Sequence, residues 1–172
     1  MVTADSPGDG QGSTFVVKLP LSLHQGRKTA TPGGAGFDVP VESIASLQIL
    51  IVDDEIDVRG VLMLMLESRG ARVQLAASAA DALRLVDELN PDLLLADLGM
   101  PGEDGLALLR KIRDRESARG TERLPAIAVT AYASPGDRDH ALAAGYDWHL
   151  PKPVDPDELV RAIAKVRKPN AV

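Results

Sequence analysis

The chain reads Leu47-Gln48-Ile49-Leu50-Ile51-Val52-Asp53-Asp54, a nearly continuous apolar run that ends in two carboxylates. Apolar residues that continue rather than alternate are typical of a β-strand that is buried on both faces. Strands of this kind occur in parallel sheets whose two faces are covered by helices. We therefore expect the run to be the first strand of an α/β domain that begins at residue 47.

Strands and helices are predicted to alternate from this run to residue 168. Strands are predicted at 47–52, 72–76, 92–96, 126–129 and 146–150. Helices are predicted at 55–69, 78–89, 104–118, 134–144 and 155–167, with Ser78 and Asp155 as the N-caps of two of them. Strict alternation of apolar strands with helices predicts one parallel sheet that is covered by helices on both faces.

The composition excludes several classes of protein. The chain has 172 residues, enough for one domain and an appendage, and no cysteine for a disulfide, a thiolate metal site or a cysteine nucleophile. Its net charge of −6 disfavours binding to nucleic acid. No apolar run approaches the roughly 18 residues of a transmembrane helix, and the first residues do not read as a signal peptide. We expect a soluble, cytoplasmic protein that contacts neither membrane nor nucleic acid.

Residues 1–46 are predicted to form a flexible tail and linker. They hold 7 of the 15 glycines and 4 of the 12 prolines, residues that interrupt regular structure. One extended-looking run, residues 14–21, has no visible strand partner within the tail, and an isolated strand is at best marginally stable. We therefore expect most of the tail to be poorly ordered.

Polar side chains follow four of the predicted strands. Asp53 and Asp54 follow the first strand, Asp97 the third, Thr130 the fourth and Lys152 the fifth. The carboxyl ends of parallel strands meet at one edge of a sheet, where ligands bind in such folds. Clustered carboxylates repel one another unless a cation is present, and oxygen ligands select a hard ion such as Mg²⁺. We expect these side chains to form one polar site at that edge.

The chemistry that fits this set is phosphoryl transfer. A carboxylate can accept a phosphoryl group covalently. A hard cation, an ammonium and a hydroxyl would then stabilise the charge on its three other oxygens. The sequence has neither a phosphate-binding loop of the Walker type nor a protein-kinase signature, so we do not expect a nucleotide to be the donor.

Residues 47 to about 168 resemble the receiver domain of two-component response regulators. The motifs that carry the resemblance are Ile49–Glu55, Asp97–Gly105, Val129-Thr130-Ala131 and Leu150-Pro151-Lys152-Pro153. The resemblance implies a flavodoxin-like (βα)5 three-layer sandwich, with a parallel five-stranded sheet in the order 2-1-3-4-5.

The resemblance also assigns roles to the residues at the strand ends. It makes Asp97 the phosphoacceptor and places Mg²⁺ on Asp54, on Asp97 and on the main-chain carbonyl of Gly99, with Asp53 acting through water. It makes Thr130 and Lys152 the hydroxyl and the ammonium that contact the phosphoryl group, and it implies a cis peptide bond between Lys152 and Pro153.

Three positions depart from the commonest receiver pattern, one of them Pro151, which is less usual before Lys152. Gly99 stands where a longer polar side chain is frequent, which changes the access of water to a phosphorylated aspartate. His149 stands where receivers usually have a switch tyrosine or phenylalanine. It is either a rotameric switch coupled to Thr130 or an ordinary half-exposed strand residue, and the sequence leaves both readings open.

The first predicted helix is apolar all round at residues 61–66. Helical periodicity places Val58, Val61, Leu62, Met65 and Leu66 on one buried face. Met63 and Leu64 fall outside that face. They are either scattered surface residues or a docking patch for the helical bundle that carries the phosphohistidine of a donor.

The tail carries a second resemblance. Residues 9–21, Asp-Gly-Gln-Gly-Ser-Thr followed by an apolar stretch, are similar to the last strand of the ATP-binding domain of histidine kinases. This likeness implies that the chain is the carboxyl-terminal part of a hybrid histidine kinase. The alternative is a glycine-rich linker followed by an extended apolar segment.

The sequence therefore predicts the phosphoacceptor receiver of a phosphorelay, not an enzyme that acts on external substrates. Its expected partner is a histidine kinase or a histidine phosphotransfer protein, and it is expected to be a monomer or a weak dimer. We expect output through another protein or another part of a larger parent. One alternative is a Mg²⁺-dependent phosphohydrolase that works through an aspartyl phosphate. Another is an adaptor with a vestigial pocket.

Overall fold

The computed structural model describes residues 2–5, 8, 12, 14–17, 44–131 and 135–167. The chain divides into two compact units, Met1–Phe37 and Asp38–Val172. Each unit is described by itself.

The first unit contains an antiparallel pair of strands, β1 (Val2–Asp5) and β2 (Thr14–Val17), in which Val2 faces Val17. The expectation that the run from residue 14 has no strand partner in the tail was wrong. The partner is a four-residue strand at the start of the chain, too short to give a sequence pattern of its own. The predicted poor order of the rest of the tail falls on residues outside those that the structure describes.

The second unit is an alternating α/β domain. Its strands are β3 (Gln48–Val52), β4 (Arg72–Ala76), β5 (Leu93–Asp97), β6 (Ala126–Thr130) and β7 (Trp148–Pro151). Its helices are α1 (Ile56–Glu67), α2 (Ala79–Leu89), α3 (Gly105–Arg119), α4 (Pro135–Ala144) and α5 (Pro156–Val166). The strands are all parallel, in the order β4-β3-β5-β6-β7. Counted within this unit the order is 2-1-3-4-5, which confirms the predicted fold.

Two apolar cores lie on opposite faces of this sheet. Helices α2, α3 and α4 pack against one face, and α1 and α5 pack against the other, which gives three layers. Strands β5 and β6 are buried at every position, as their continuous apolar sequences predict. Strand β4 lies at an edge of the sheet and is exposed at three of its five residues.

Side-chain caps fix the starts of three helices. Ser78 accepts a hydrogen bond from the Asp81 amide, and Asp155 accepts from the amides of Asp157 and Glu158, so both predicted caps are confirmed. Asp104 caps α3 in the same way through the Ala107 amide. These caps satisfy backbone donors that have no partner within their own helix.

Two features near predicted boundaries differ slightly from the sequence-based expectation. Ile44 is fully buried in the core beside α1 and α5, and the Ser46 amide donates to the Gly70 carbonyl at 2.8 Å. The packed structure therefore includes three residues before the predicted start at residue 47. Strand β7 begins at Trp148 rather than at residue 146 because Tyr146 closes the preceding helical turn by donating its amide to the Ala141 carbonyl.

Candidate functional site

Three carboxylates meet at the carboxyl ends of β3 and β5, which are neighbours in the sheet. Asp53 and Asp97 are only 1% and 6% exposed, whereas Asp54 is exposed to solvent. One oxygen of each carboxylate lies within 4.8 Å of an oxygen of the other two. The structure thus brings together the acidic residues that the sequence placed at this edge.

Lys152 enters the cluster from the carboxyl end of β7. Its Nζ lies 2.8 Å from Asp53 Oδ2 and 3.3 Å from Asp97 Oδ2, with Glu55 Oε1 farther away at 3.8 Å. Burial alone would lower the pKa of Lys152, but the hydrogen bond to Asp53 and the charge of Asp97 outweigh it and raise that pKa above its usual value. The ammonium therefore stays charged and partly neutralises the cluster.

Backbone contacts hold Lys152 and Asp53 in place. The Lys152 amide donates to the Thr130 carbonyl at 2.8 Å, and the peptide bond between Lys152 and Pro153 is cis, as the resemblance implied. Asp53 Oδ1 accepts from the Glu55 amide at 2.9 Å, while the Arg59 guanidinium donates to the Asp53 carbonyl. Arg59 was not among the predicted site residues, although its position in the first turn of α1, six residues after Asp53, was a signal that could have placed it near Asp53.

Thr130 and His149 occupy neighbouring strands. Thr130 ends β6 and is buried, one residue beyond the Val129 that pairs with Asp97. His149 is half-buried in β7 and pairs with Ala128. The fold therefore places Thr130 beside the end of β5, and a switch role for either residue stays a prediction.

Two glycines lie close to Asp97 and differ in the space that surrounds them. A Cβ added at Gly99 would lie 3.6 Å from Asp97 Oδ2, an ordinary contact. A Cβ added at Gly105 would lie 2.3 Å from the carbonyl oxygen of Asp97, which is an overlap. The start of α3 thus packs directly on the backbone of Asp97, and only glycine fits there.

The donor set fits a hard divalent cation. Three carboxylates and one ammonium leave a net negative charge. The three side chains of the cluster that could bind a cation all offer carboxylate oxygens. Mg²⁺ is held in proteins by one or two carboxylates together with water and phosphate oxygens. The residues that could hold it are Asp53, Asp54 and Asp97, with the Gly99 carbonyl as the further ligand that the resemblance implies.

Helix α1 leads away from the site and carries an exposed apolar stripe. Ile56, Val61 and Leu64 are 73%, 51% and 65% exposed. The prediction that Val61 faces the core was wrong, and Met63 instead lies partly buried against that core. The other four residues predicted for the buried face were placed correctly, since Leu62 and Leu66 are buried and Val58 and Met65 pack partly buried against the same core. The periodicity misplaced Val61 and Met63 because all six residues from 61 to 66 are apolar, so the sequence does not define the margins of the buried face.

Residues 49–164 match the response regulator receiver domain family. The chain belongs to that family. A 14.6 kDa protein in the sodA1 3′ region of Leptolyngbya boryana is 46% identical over 123 residues, which cover 72% of this chain and 92% of that protein. The sensor histidine kinase AruS of Pseudomonas aeruginosa is 38% identical over 157 residues, 91% of this chain but only 15% of that kinase.

Solved structures agree with this assignment. A response regulator from Chloroflexus aurantiacus is 32% identical with a TM-score of 0.65, and the match covers 70% of this chain and 97% of that one. The receiver domain of Saccharomyces cerevisiae Ssk1, solved in complex with the histidine phosphotransfer protein Ypd1, gives a TM-score of 0.68 at 26% identity, over 72% of this chain and 90% of that one. The receiver is thus a signalling domain of two-component systems.

Among the residues that the structure describes, no helix combines the length and the apolar character that crossing a membrane requires.

Proposed function

We propose that this receiver is a phosphoacceptor in a phosphorelay and that Asp97 takes the phosphoryl group from a phosphohistidine. An oxygen of the Asp97 carboxylate attacks phosphorus, a P–O bond forms, and the P–N bond to the donor imidazole breaks. The imidazole nitrogen that leaves takes up a proton from solvent. The observation that supports this reaction most directly is the buried Asp97 carboxylate with Lys152 at 3.3 Å inside the acidic cluster.

The side chains around Asp97 have separable tasks in this proposal. Lys152 Nζ, already between Asp53 and Asp97, pairs with the charge that arrives on the phosphoryl oxygens. The Thr130 hydroxyl approaches another of these oxygens from the end of β6. Mg²⁺, when bound, neutralises phosphoryl charge, and Asp53, Asp54, Asp97 and the Gly99 carbonyl are the groups that would hold it.

The experiment that tests this function is intact-mass measurement after incubation with acetyl phosphate and Mg²⁺. We expect the wild type and Asp114→Asn, a matched control in an exposed part of α3, to gain one phosphoryl mass. Asp97→Asn should gain none, and a chelator should abolish the gain in the wild type. Repeated release of phosphate from an external substrate would instead indicate the phosphohydrolase. No gain from either acetyl phosphate or phosphoramidate would indicate the adaptor.

The donor is proposed to be a histidine kinase or a histidine phosphotransfer protein that docks on α1. The complex of Ypd1 with the Ssk1 receiver domain supports a partner of this kind. The exposed apolar stripe of α1 begins at Ile56, three residues after Asp53, so a partner seated on it would lie beside the site. Of the two residues predicted to dock, Leu64 belongs to this stripe and Met63 lies at its margin.

The docking proposal predicts a difference between donors. Leu64→Glu should slow transfer from a phosphorylated histidine protein and leave phosphorylation by acetyl phosphate unchanged. Leu142→Glu places the same charge on an exposed leucine of α4 and is the matched control. Equal loss with both donors, or equal loss in both variants, would contradict docking through the stripe.

We also propose that Thr130 and His149 transmit the phosphorylated state. A phosphoryl group adds nearly two negative charges at Asp97, which draws the Thr130 hydroxyl inward and changes the packing of β7. His149→Ala should then accept the phosphoryl group normally but lose the phosphorylation-dependent change in amide exchange at α4 and β7. A change that persists in this variant would leave His149 as a structural residue only.

The parent of the chain is proposed to be a hybrid histidine kinase, with residues 9–21 derived from the last strand of its ATP-binding domain. The likeness to AruS supports this because it covers 91% of the chain, far more than the receiver occupies. Strand β2 pairs with β1 in a two-stranded sheet, so its amides should exchange much faster than those of β3. Equal protection of β2 and β3 would contradict a two-stranded hairpin as the whole setting of this segment. The cytoplasmic location and the oligomeric state stay predictions from the sequence.

A further inference from the structure

A buried tyrosine contacts the start of helix α3. Tyr146 lies in the turn between α4 and β7 and is 2% exposed. Its hydroxyl donates to the Gly105 carbonyl at 2.7 Å, across 41 residues of sequence. A buried hydroxyl without a partner would be costly, so this bond holds the ring and the first residue of α3 together.

Gly105 in turn packs on the phosphoacceptor. A Cβ at Gly105 would lie 2.3 Å from the Asp97 carbonyl oxygen and 3.1 Å from its carbonyl carbon. The Gly105 amide also donates to the Leu98 carbonyl at 3.4 Å. Because these backbones are in direct contact, the position of Gly105 restricts the positions open to the peptide that carries the Asp97 carboxylate.

The turn that carries Tyr146 is itself fixed at several points. Arg113 donates to the Gly145 carbonyl at 3.0 Å and to the Leu124 carbonyl at 2.9 Å. On the other side of Tyr146 in the sequence, Asp147 accepts from the Ala126 amide at 2.9 Å. The turn is therefore tied to β6 through Asp147 and to α3 through Arg113, and the Tyr146 hydroxyl adds a further link to the first residue of α3.

We propose that Tyr146 is a positioning residue for phosphoryl transfer, because its hydroxyl holds the start of α3 against β5 and so fixes the Asp97 carboxylate beside Lys152. This inference rests on the proposed phosphoacceptor function. Misplacement of a reacting group by about 1 Å can lower a rate by up to about 100-fold, so the loss of one such bond has a measurable effect on rate. Burial and the nearby charge of Asp104 raise the pKa of Tyr146, which keeps the hydroxyl protonated as a donor.

The test is Tyr146→Phe, which removes the hydroxyl and keeps the buried ring. The matched control is Asp92→Ala, which removes the hydrogen bond from the Gln48 amide. This bond lies at the amino ends of β3 and β5, whereas the site lies at their carboxyl ends. For wild type and both variants, the rate constant of phosphorylation by phosphoramidate is followed by intact mass, well below every Tm. We expect a fall of about three- to tenfold for Tyr146→Phe and less than twofold for Asp92→Ala.

The outcomes distinguish a failure of the positioning role from a failure of the proposed phosphoacceptor function. If the wild type is phosphorylated and Tyr146→Phe reacts at the same rate, Tyr146 has only a structural role, whatever the change in Tm. If the rate constants of both variants fall in proportion to the decreases in their Tm, the effect is one of stability and the positioning role is refuted. If the wild type takes up no phosphoryl group, the proposed function fails and the positioning role fails with it.

Discussion

Asp54→Asn is expected to stabilise the protein when no divalent cation is present. The carboxylate oxygens of Asp53, Asp54 and Asp97 lie within 4.8 Å of one another. Two unit charges at that separation repel by about 0.9 kcal/mol at the dielectric constant of water and by about 3.5 kcal/mol at an effective value near 20. Since Asp54 is exposed and Lys152 offsets part of the charge, the lower figure applies, and we expect a gain of about 1 kcal/mol.

Mg²⁺ should reverse the relative stability of the wild type and Asp54→Asn. A ligand that binds only the folded state stabilises it by about 2.7 kcal/mol at 100 times its dissociation constant. The wild type should gain in this way, whereas Asp54→Asn loses a carboxylate ligand and gains less at the same concentration. The variant should therefore be the more stable protein in chelator and the less stable one in saturating Mg²⁺.

The assay is urea unfolding followed by the fluorescence of Trp148, the single tryptophan, in chelator and in Mg²⁺. Asp114→Asn, an exposed residue of α3, controls for the loss of a negative charge elsewhere on the chain. Two results would refute the reasoning. One is a variant that is less stable than the wild type in chelator, and the other is an equal gain from Mg²⁺ in both proteins.

Three further predictions follow from single contacts. The hydrogen bond from Arg119 lowers the pKa of Asp87, so the stability that this pair adds is present above the usual aspartate pKa and is lost as the pH falls through the lowered value. The difference between the wild type and Asp87→Asn in urea unfolding should shrink from about pH 5 to about pH 3. Gly105→Ala should lower the free energy of unfolding by about 1–3 kcal/mol, measured in the same way. Gly99→Gln should fold normally and lengthen the lifetime of the phosphorylated protein in a mass time course, because its side chain would lie beside the Asp97 carboxylate; an unchanged lifetime would contradict this.

The fold could be predicted because its main signals are local. The inner strands β3, β5 and β6 are continuous apolar runs, and a side-chain cap such as Ser78 marks the start of a helix. The order of polar residues at the strand ends then placed the acidic cluster and Lys152 correctly, because parallel strands present their carboxyl ends at one edge.

The errors arose where long-range contacts decide the structure. Tyr146 has the β-propensity of a strand residue, but its bonds to Ala141 and Gly105 place it in a turn. Val61 and Met63 lie in a run of six apolar residues, so only packing against the sheet determines which of them is exposed. The bond from Arg59 to the Asp53 carbonyl depends in the same way on how α1 leaves the sheet.

The two glycines near Asp97 show how the fold and the chemistry set different requirements at one site. At Gly105 a side chain would overlap the Asp97 backbone, so glycine is required by the packing of α3 whatever the domain does. At Gly99 a side chain would make only an ordinary contact, so packing permits other residues there. The absence of a side chain at Gly99 therefore bears on access to the Asp97 carboxylate and not on stability. A change at Gly105 should act on the rate only through the position of Asp97, whereas a change at Gly99 should act on the phosphorylated state itself.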